Sequence, residues 1–60
     1  MYNILGKRNK ESDEEFITSK RDFNKAVSKA EKLKSRGWRE VTIINSETMD
    51  IEYELYKGGI

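Results

Sequence analysis

The sequence contains no cysteine, no histidine and no proline. Without cysteine, the chain cannot be cross-linked by disulfide bonds. Without cysteine and histidine together, it cannot form a zinc site of the usual kind. General acid–base catalysis also loses the side chain that most often performs it. We therefore expect a protein that acts by binding, with no catalytic residues, no metal and no cofactor.

Long apolar segments are missing too. No apolar run approaches the ~18 residues of a membrane span, and in the opening segment MYNILGKRNK the charges follow the apolar residues, the reverse of a signal peptide. We expect one cytoplasmic domain, 1–60. A chain of this length buries only about 60% of its unfolded surface, and small domains without staples often gain stability by forming oligomers.

One helix is clearly indicated, over about residues 20–36. Its apolar residues recur with helical period: Phe23, Ala26, Val27, Ala30 and Leu33. Ser19 is predicted to be the N-cap, with Asp22 in the capping-box position.

The end of this helix is predicted from a glycine. Gly37 suits the C′ position, because glycine enters the left-handed conformation at little cost. This assignment makes Leu33 the C3 residue and Trp38 the C″ residue. The side chains at those two positions meet in a Schellman ending.

The remaining segments read as four strands, predicted at Met1–Lys7, Glu15–Thr18, Arg39–Asn45 and Asp50–Lys57. In the last strand, Ile51, Tyr53 and Leu55 alternate with acidic residues. Because paired residues share a face, we expect a register of Val41 with Leu55, Ile43 with Tyr53 and Asn45 with Ile51. Gly58 to Ile60 are expected to fray.

These elements predict a two-layer α+β domain of ββαββ layout, with one helix on a four-stranded, mainly antiparallel sheet. The order of the strands in the sheet stays open. The helical stripe is expected to pack on the inner face of the sheet, formed by Tyr2, Ile4, Phe16, Val41, Ile43, Ile51, Tyr53 and Leu55.

One helix leaves one sheet face uncovered, which we call the open sheet face. By alternation it is expected to carry Leu5, Ile17, Ile44 and Tyr56. Trp38 is a further candidate, although the Schellman contact favours a position beside Leu33. Large apolar residues on one face of an unstapled domain predict a homodimer or another protein contact, while scattered apolar residues are also ordinary on surfaces.

The polar side of the helix carries a line of cations, which we call the basic ridge: Arg21, Lys25, Lys29, Lys32 and Arg36. Such a line is often an ordinary solvated face. As a functional feature it would meet an acidic protein surface or a nucleic acid. Nucleic acid is the second choice, because no aromatic residue is interleaved for stacking and residues 40–54 contain five acids and no base.

Asp50, Glu52 and Glu54 form an expected acidic strand face, with side chains roughly 6.6 Å apart. They could share a hard cation, but such sites usually take their oxygens from a tight loop. A solvated strand face is the preferred interpretation. The contrast between this acidic segment and the basic helix favours oriented association with a charged partner.

Two resemblances follow from these patterns. The order of elements, the length and the tryptophan near the third strand are similar to the β-grasp immunoglobulin-binding domains of streptococcal protein G, in layout alone. The segment AVSKAEKLKSRGWREVTIINSETMDIEYEL (26–55) resembles small accessory proteins of phages and low-GC bacteria. That resemblance covers half the chain and implies a host-takeover or anti-defence protein.

The functional hypothesis is therefore a small, non-enzymatic protein-binding module. It is expected to be a dimeric, phage-type inhibitor or modulator of a host or defence protein. The alternative is a nucleic-acid-binding protein that uses the basic ridge.

Overall fold

In a computed structural model, which describes residues 1–9 and 11–56 (Tyr56 by its backbone), one helix lies across one face of a four-stranded antiparallel sheet. The elements are β1 (Tyr2–Lys7), β2 (Glu15–Lys20), α1 (Phe23–Ser35), β3 (Glu40–Asn45) and β4 (Ile51–Tyr56). The predicted α+β class and ββαββ layout are confirmed. The expected fraying of Gly58 to Ile60 lies outside the described residues.

The strand order is β2-β1-β3-β4, and each neighbouring pair is antiparallel. The centre of the sheet is therefore β1 and β3, while β2 and β4 are its edges. A β-grasp domain would instead place its first and fourth strands side by side and parallel. The likeness to the protein G domains thus extends to the order of elements along the chain and not to the sheet.

The helix ends as predicted. Gly37 has a φ of 104°, the left-handed conformation expected at C′. Its N–H donates to the carbonyl of Lys34 at 3.1 Å, and the N–H of Trp38 donates to the carbonyl of Leu33 at 3.3 Å. These two bonds are the pair that defines a Schellman ending, so the assignment of Leu33, Gly37 and Trp38 is confirmed.

The predicted start of the helix is wrong. Asp22 is the N-cap, and its carboxylate accepts a hydrogen bond from the N–H of Asn24 at 2.8 Å. Ser19 instead lies in β2, opposite Asn3 of β1. Strand pairing takes Ser19 and Lys20 away from the helix, which shortens it to 13 residues.

The core lies between α1 and the inner face of the sheet. Three aromatic rings close one end of it: Phe23 meets Tyr2 and Tyr53 edge-on, with ring centroids 5.3 Å and 6.3 Å apart. Six apolar residues are buried, none more than 5% exposed: Ile4, Ala26, Ala30, Leu33, Val41 and Ile43. Most of the predicted inner face is therefore correct.

A β-bulge in edge strand β2 reverses two of the predictions. Ile4 pairs with Thr18 and Leu5 pairs with Phe16, so Ile17 is an extra residue in the strand. Phe16 follows Leu5 onto the uncovered face and is 63% exposed, while Ile17 packs against the core. Phe16 was predicted to be inside and Ile17 outside, and both predictions are wrong because simple alternation stops at the bulge.

A second bulge lies in the other edge strand. The expected pairs of Val41 with Leu55 and Ile43 with Tyr53 are confirmed, but Ile51 pairs with Ile44 and not with Asn45. Glu52 is the extra residue, and Ile51 becomes 58% exposed instead of joining the core. Bulges on edge strands interrupt the regular ladder that another chain could extend.

Candidate functional site

The open sheet face carries an apolar strip that crosses all four strands. Cross-strand pairing places Phe16 beside Leu5, and Ile51 beside Ile44. Thr42 lies between these pairs, opposite Leu5, and is only 6% exposed although no helix covers it. We call Leu5, Phe16, Ile44 and Ile51 the apolar strip.

The structure keeps Leu5 and Ile44 on the open sheet face, as the sequence predicted, but removes Ile17 and Trp38 from it. A Cβ added to Gly6 would lie 2.8 Å from Ile17 Cδ1 and 2.8 Å from Trp38 Cε3. Both side chains therefore pack on the inner face, where they contact the core. Trp38 therefore packs against the core cluster that includes Leu33, on the covered side of the sheet and not on the open sheet face.

Two members of the apolar strip, Phe16 and Ile51, were missed by sequence reasoning because each lies directly before the extra residue of a bulge, Ile17 or Glu52. No residue type in either strand signals the extra residue. Gly6 is a partial signal, since a strand glycine permits close approach and the approaching groups prove to be Ile17 and Trp38. Tyr56 lies opposite Glu40 in β4, and its side chain lies outside the described part of the chain.

The second candidate surface is a groove of about 370 Å³ along α1, which we call the ridge groove. Four members of the basic ridge line it, but Arg21 does not. Lys20, at the end of β2, takes the place of Arg21. The full lining is Lys20, Lys25, Ser28, Lys29, Lys32 and Arg36.

No ion pair between described residues neutralises a cation of the ridge groove. Over residues 1–9 and 11–56, the ion pairs are Lys7 with Glu40 at 3.8 Å and Arg8 with Glu15 at 2.9 Å. Neither pair involves a cation of the groove. The groove is thus an electropositive surface whose charge is available to a ligand.

A second cleft, of about 380 Å³, lies at the end of the helix and is lined by Arg8, Arg36, Gly37 and Trp38. We call it the indole cleft. The guanidinium of Arg8 lies 5.3 Å from the centre of the Trp38 ring, within the range of a cation–π contact. Arg36 lines both the ridge groove and the indole cleft, so the two adjoin. Sequence reasoning missed Arg8, because it joins Trp38 only through the fold.

The predicted acidic strand face is not a regular face. Asp50 precedes β4, and Glu52 is the extra residue of the bulge. Glu54 pairs with Thr42 on the open sheet face. All three are exposed, and no cluster of potential metal ligands occurs among the described residues.

No helix in the described ranges is long and apolar enough to span a membrane. Comparison with known proteins adds no relative: no protein-family model, curated protein or solved structure matches this chain. The candidate surfaces are therefore argued from their own geometry.

Proposed function

We propose that this chain is a small, non-enzymatic protein-binding module that uses the open sheet face, first of all to bind a second copy of itself. The observation that carries the proposal is the pair of edge bulges. They turn Phe16 and Ile51 onto the face that α1 leaves bare, where both side chains are more than half exposed. Large exposed apolar groups gathered on one face are typical of interaction surfaces.

A second copy fits this face for geometric reasons. Two sheets can stack about 10 Å apart with interdigitating apolar side chains. The apolar strip crosses the whole sheet, so a two-fold related copy can present the same residues in return. The nearby Lys7 and Glu40 already pair with each other within one chain. A domain without cysteine, and therefore without disulfides, also gains burial from such a contact.

The resemblance of residues 26–55 to accessory proteins of phages and low-GC bacteria adds a biological setting to the proposal. In that setting, the cytoplasmic dimer inhibits or redirects a host or defence protein. The support is the sequence pattern of this segment. The setting is tested separately, by asking whether expression of the chain disables a defence or host activity in a bacterial cell.

The dimer is tested by light scattering over a range of concentrations. The wild-type mass should rise from the 7.1 kDa of one chain towards twice that value. The double variant Phe16→Lys/Ile51→Lys should stay at the mass of one chain, because two desolvated charges would oppose the contact.

Met49→Lys is the matched control. Met49 is 71% exposed, but it lies in the β3–β4 connection and outside the apolar strip. This variant should associate like the wild type. A wild-type mass that stays at one chain throughout, or a double variant that associates normally, would contradict the proposal.

A further inference from the structure

We infer that the ridge groove and the indole cleft together form a binding site for single-stranded nucleic acid, a function separate from protein contact on the open sheet face. The two clefts share Arg36. They therefore adjoin at Arg36, the ridge groove beside α1 and the indole cleft at Trp38. Phosphates would follow the ridge groove, and a base would stack in the indole cleft.

The ridge groove suits a phosphate backbone because its charge is of one sign. It is lined by five cations, and neither Asp22 nor Glu31, the acids of the helical region, lines it. Along α1 the successive cations are three or four residues apart, or about 4.5–6 Å along the axis. Grooves with unneutralised cations track the backbone of single strands.

The indole cleft supplies the aromatic group that the basic ridge lacks. Trp38 follows the helix in sequence, but the Schellman ending folds it back beside Arg8 and Arg36. Glu15 accepts a hydrogen bond from Arg8 Nε at 2.9 Å and so helps to position the guanidinium by the indole. Guanidinium and indole planes are the surfaces on which proteins stack unpaired bases.

The fold also weakens the electrostatic objection to nucleic acid. The exposed acids Glu52 and Glu54 lie on β4, one edge of the sheet, whereas Lys20 lies on β2, the opposite edge. Glu54 also pairs with Thr42 on the open sheet face, the side of the sheet away from α1 and the ridge groove. A ligand along the groove can therefore avoid the acidic segment.

The indole cleft favours a single strand over two other polyanions. In a duplex the bases are stacked on one another, so none can enter the cleft without being extruded. An acidic peptide could occupy the ridge groove but would bring no base to stack beside Trp38. The tryptophan therefore distinguishes the ligands, and it is the single tryptophan of the chain.

The test is titration of the full chain with a fluorescently labelled oligothymidylate of about 16 nucleotides, the upper site size of small single-strand binders. Binding is followed by anisotropy, and stacking by Trp38 emission with an unlabelled strand. Five contacted phosphates predict a slope of log K against log salt of about −3.5, at about −0.7 per phosphate. Trp38 emission should be quenched on binding.

Lys29→Gln and Arg21→Gln form a matched pair, since each removes one charge from the predicted basic ridge. Lys29 lines the ridge groove and Arg21 does not. Lys29→Gln should lower the magnitude of the salt slope by about 0.7, the contribution of one phosphate, and Lys25→Gln/Lys29→Gln/Lys32→Gln should weaken binding at least tenfold. Arg21→Gln should leave the salt slope unchanged.

Several outcomes would overturn the inference. One is no anisotropy change at about 50 mM salt, where electrostatic binding is strong. A second is equal binding of a duplex of the same length. A third is binding without Trp38 quenching, displaced equally well by polyglutamate, which would assign the groove to acidic peptides. Equal losses of affinity and salt slope in Arg21→Gln and Lys29→Gln would show that the ridge groove is not the binding site.

Discussion

On the helix-covered face of the sheet, Ile4 and Ile43 are fully buried, whereas on the open face Phe16 and Ile51 are more than half exposed. Both faces carry large apolar residues from the same four strands. On the covered face those residues contact α1, and on the open face no described element packs over them. The difference teaches that apolar content alone does not separate a buried core face from an exposed face of the same sheet.

The largest difference in stability should come from truncating, one at a time, two adjacent isoleucines in β3. Ile43 is fully buried beneath α1, while Ile44 lies on the open face and is half-buried. Ile43→Ala should cost about 2–5 kcal/mol of unfolding free energy, and Ile44→Ala clearly less, because the open site leaves no closed cavity. Denaturant unfolding at a concentration where the chain is monomeric measures both.

Ile43→Val and Ile44→Val keep this comparison measurable if the alanine variant does not fold. The first should cost about 0.5–1.5 kcal/mol, and the second less. Equal losses of unfolding free energy at the two positions would show that the open sheet face is covered in solution, even at a concentration chosen to keep the chain monomeric.

Gly6→Ala should have the next largest effect. A new Cβ would meet Ile17 and Trp38 at 2.8 Å, so both side chains must shift, at a cost of about 1–3 kcal/mol for overpacking. Thermal unfolding, together with the emission of Trp38, reports the cost and the shift. Unchanged stability and emission would contradict the packing of Ile17 and Trp38 on the covered face.

The smallest change in stability is expected at the β2 bulge, which places Phe16 and Ile17 on the opposite faces from those expected by alternation. Ile17→Ala should cost about 1–2 kcal/mol, less than a full core truncation because Ile17 is only partly buried. Phe16→Ala should change monomer stability by no more than about 0.5 kcal/mol. The reverse order in denaturant unfolding would mean that alternation continues through β2 without a bulge.

Much of the fold follows from short-range patterns. The stripe of Ala26, Ala30 and Leu33 specifies a helix and the side of it that is buried. Gly37 specifies where it ends, because few other residues adopt a positive φ readily. The start was less predictable: Ser19 and Asp22 both cap helices well, and only the pairing of Ser19 with Asn3 decides between them.

The candidate sites were less accessible to sequence reasoning. The basic ridge is visible from helical spacing. That Lys20, and not Arg21, lines the ridge groove depends on where β2 ends. Arg8 reaches Trp38 only because β1 lies beside the helix exit. The apolar strip was half predictable, since Leu5 and Ile44 lie in β1 and β3, whereas the extra residues lie in β2 and β4.

The sequence by itself determined the helix, its Schellman ending, the four strands and the charge contrast, because each depends on residues within a few positions of one another. The tertiary structure decided the strand order, the two bulges and the meeting of Arg8, Arg36 and Trp38. Those features depend on which distant strands pair and where one strand must absorb an extra residue. Long-range pairing therefore separates the covered face from the open face, and it brings the two clefts together.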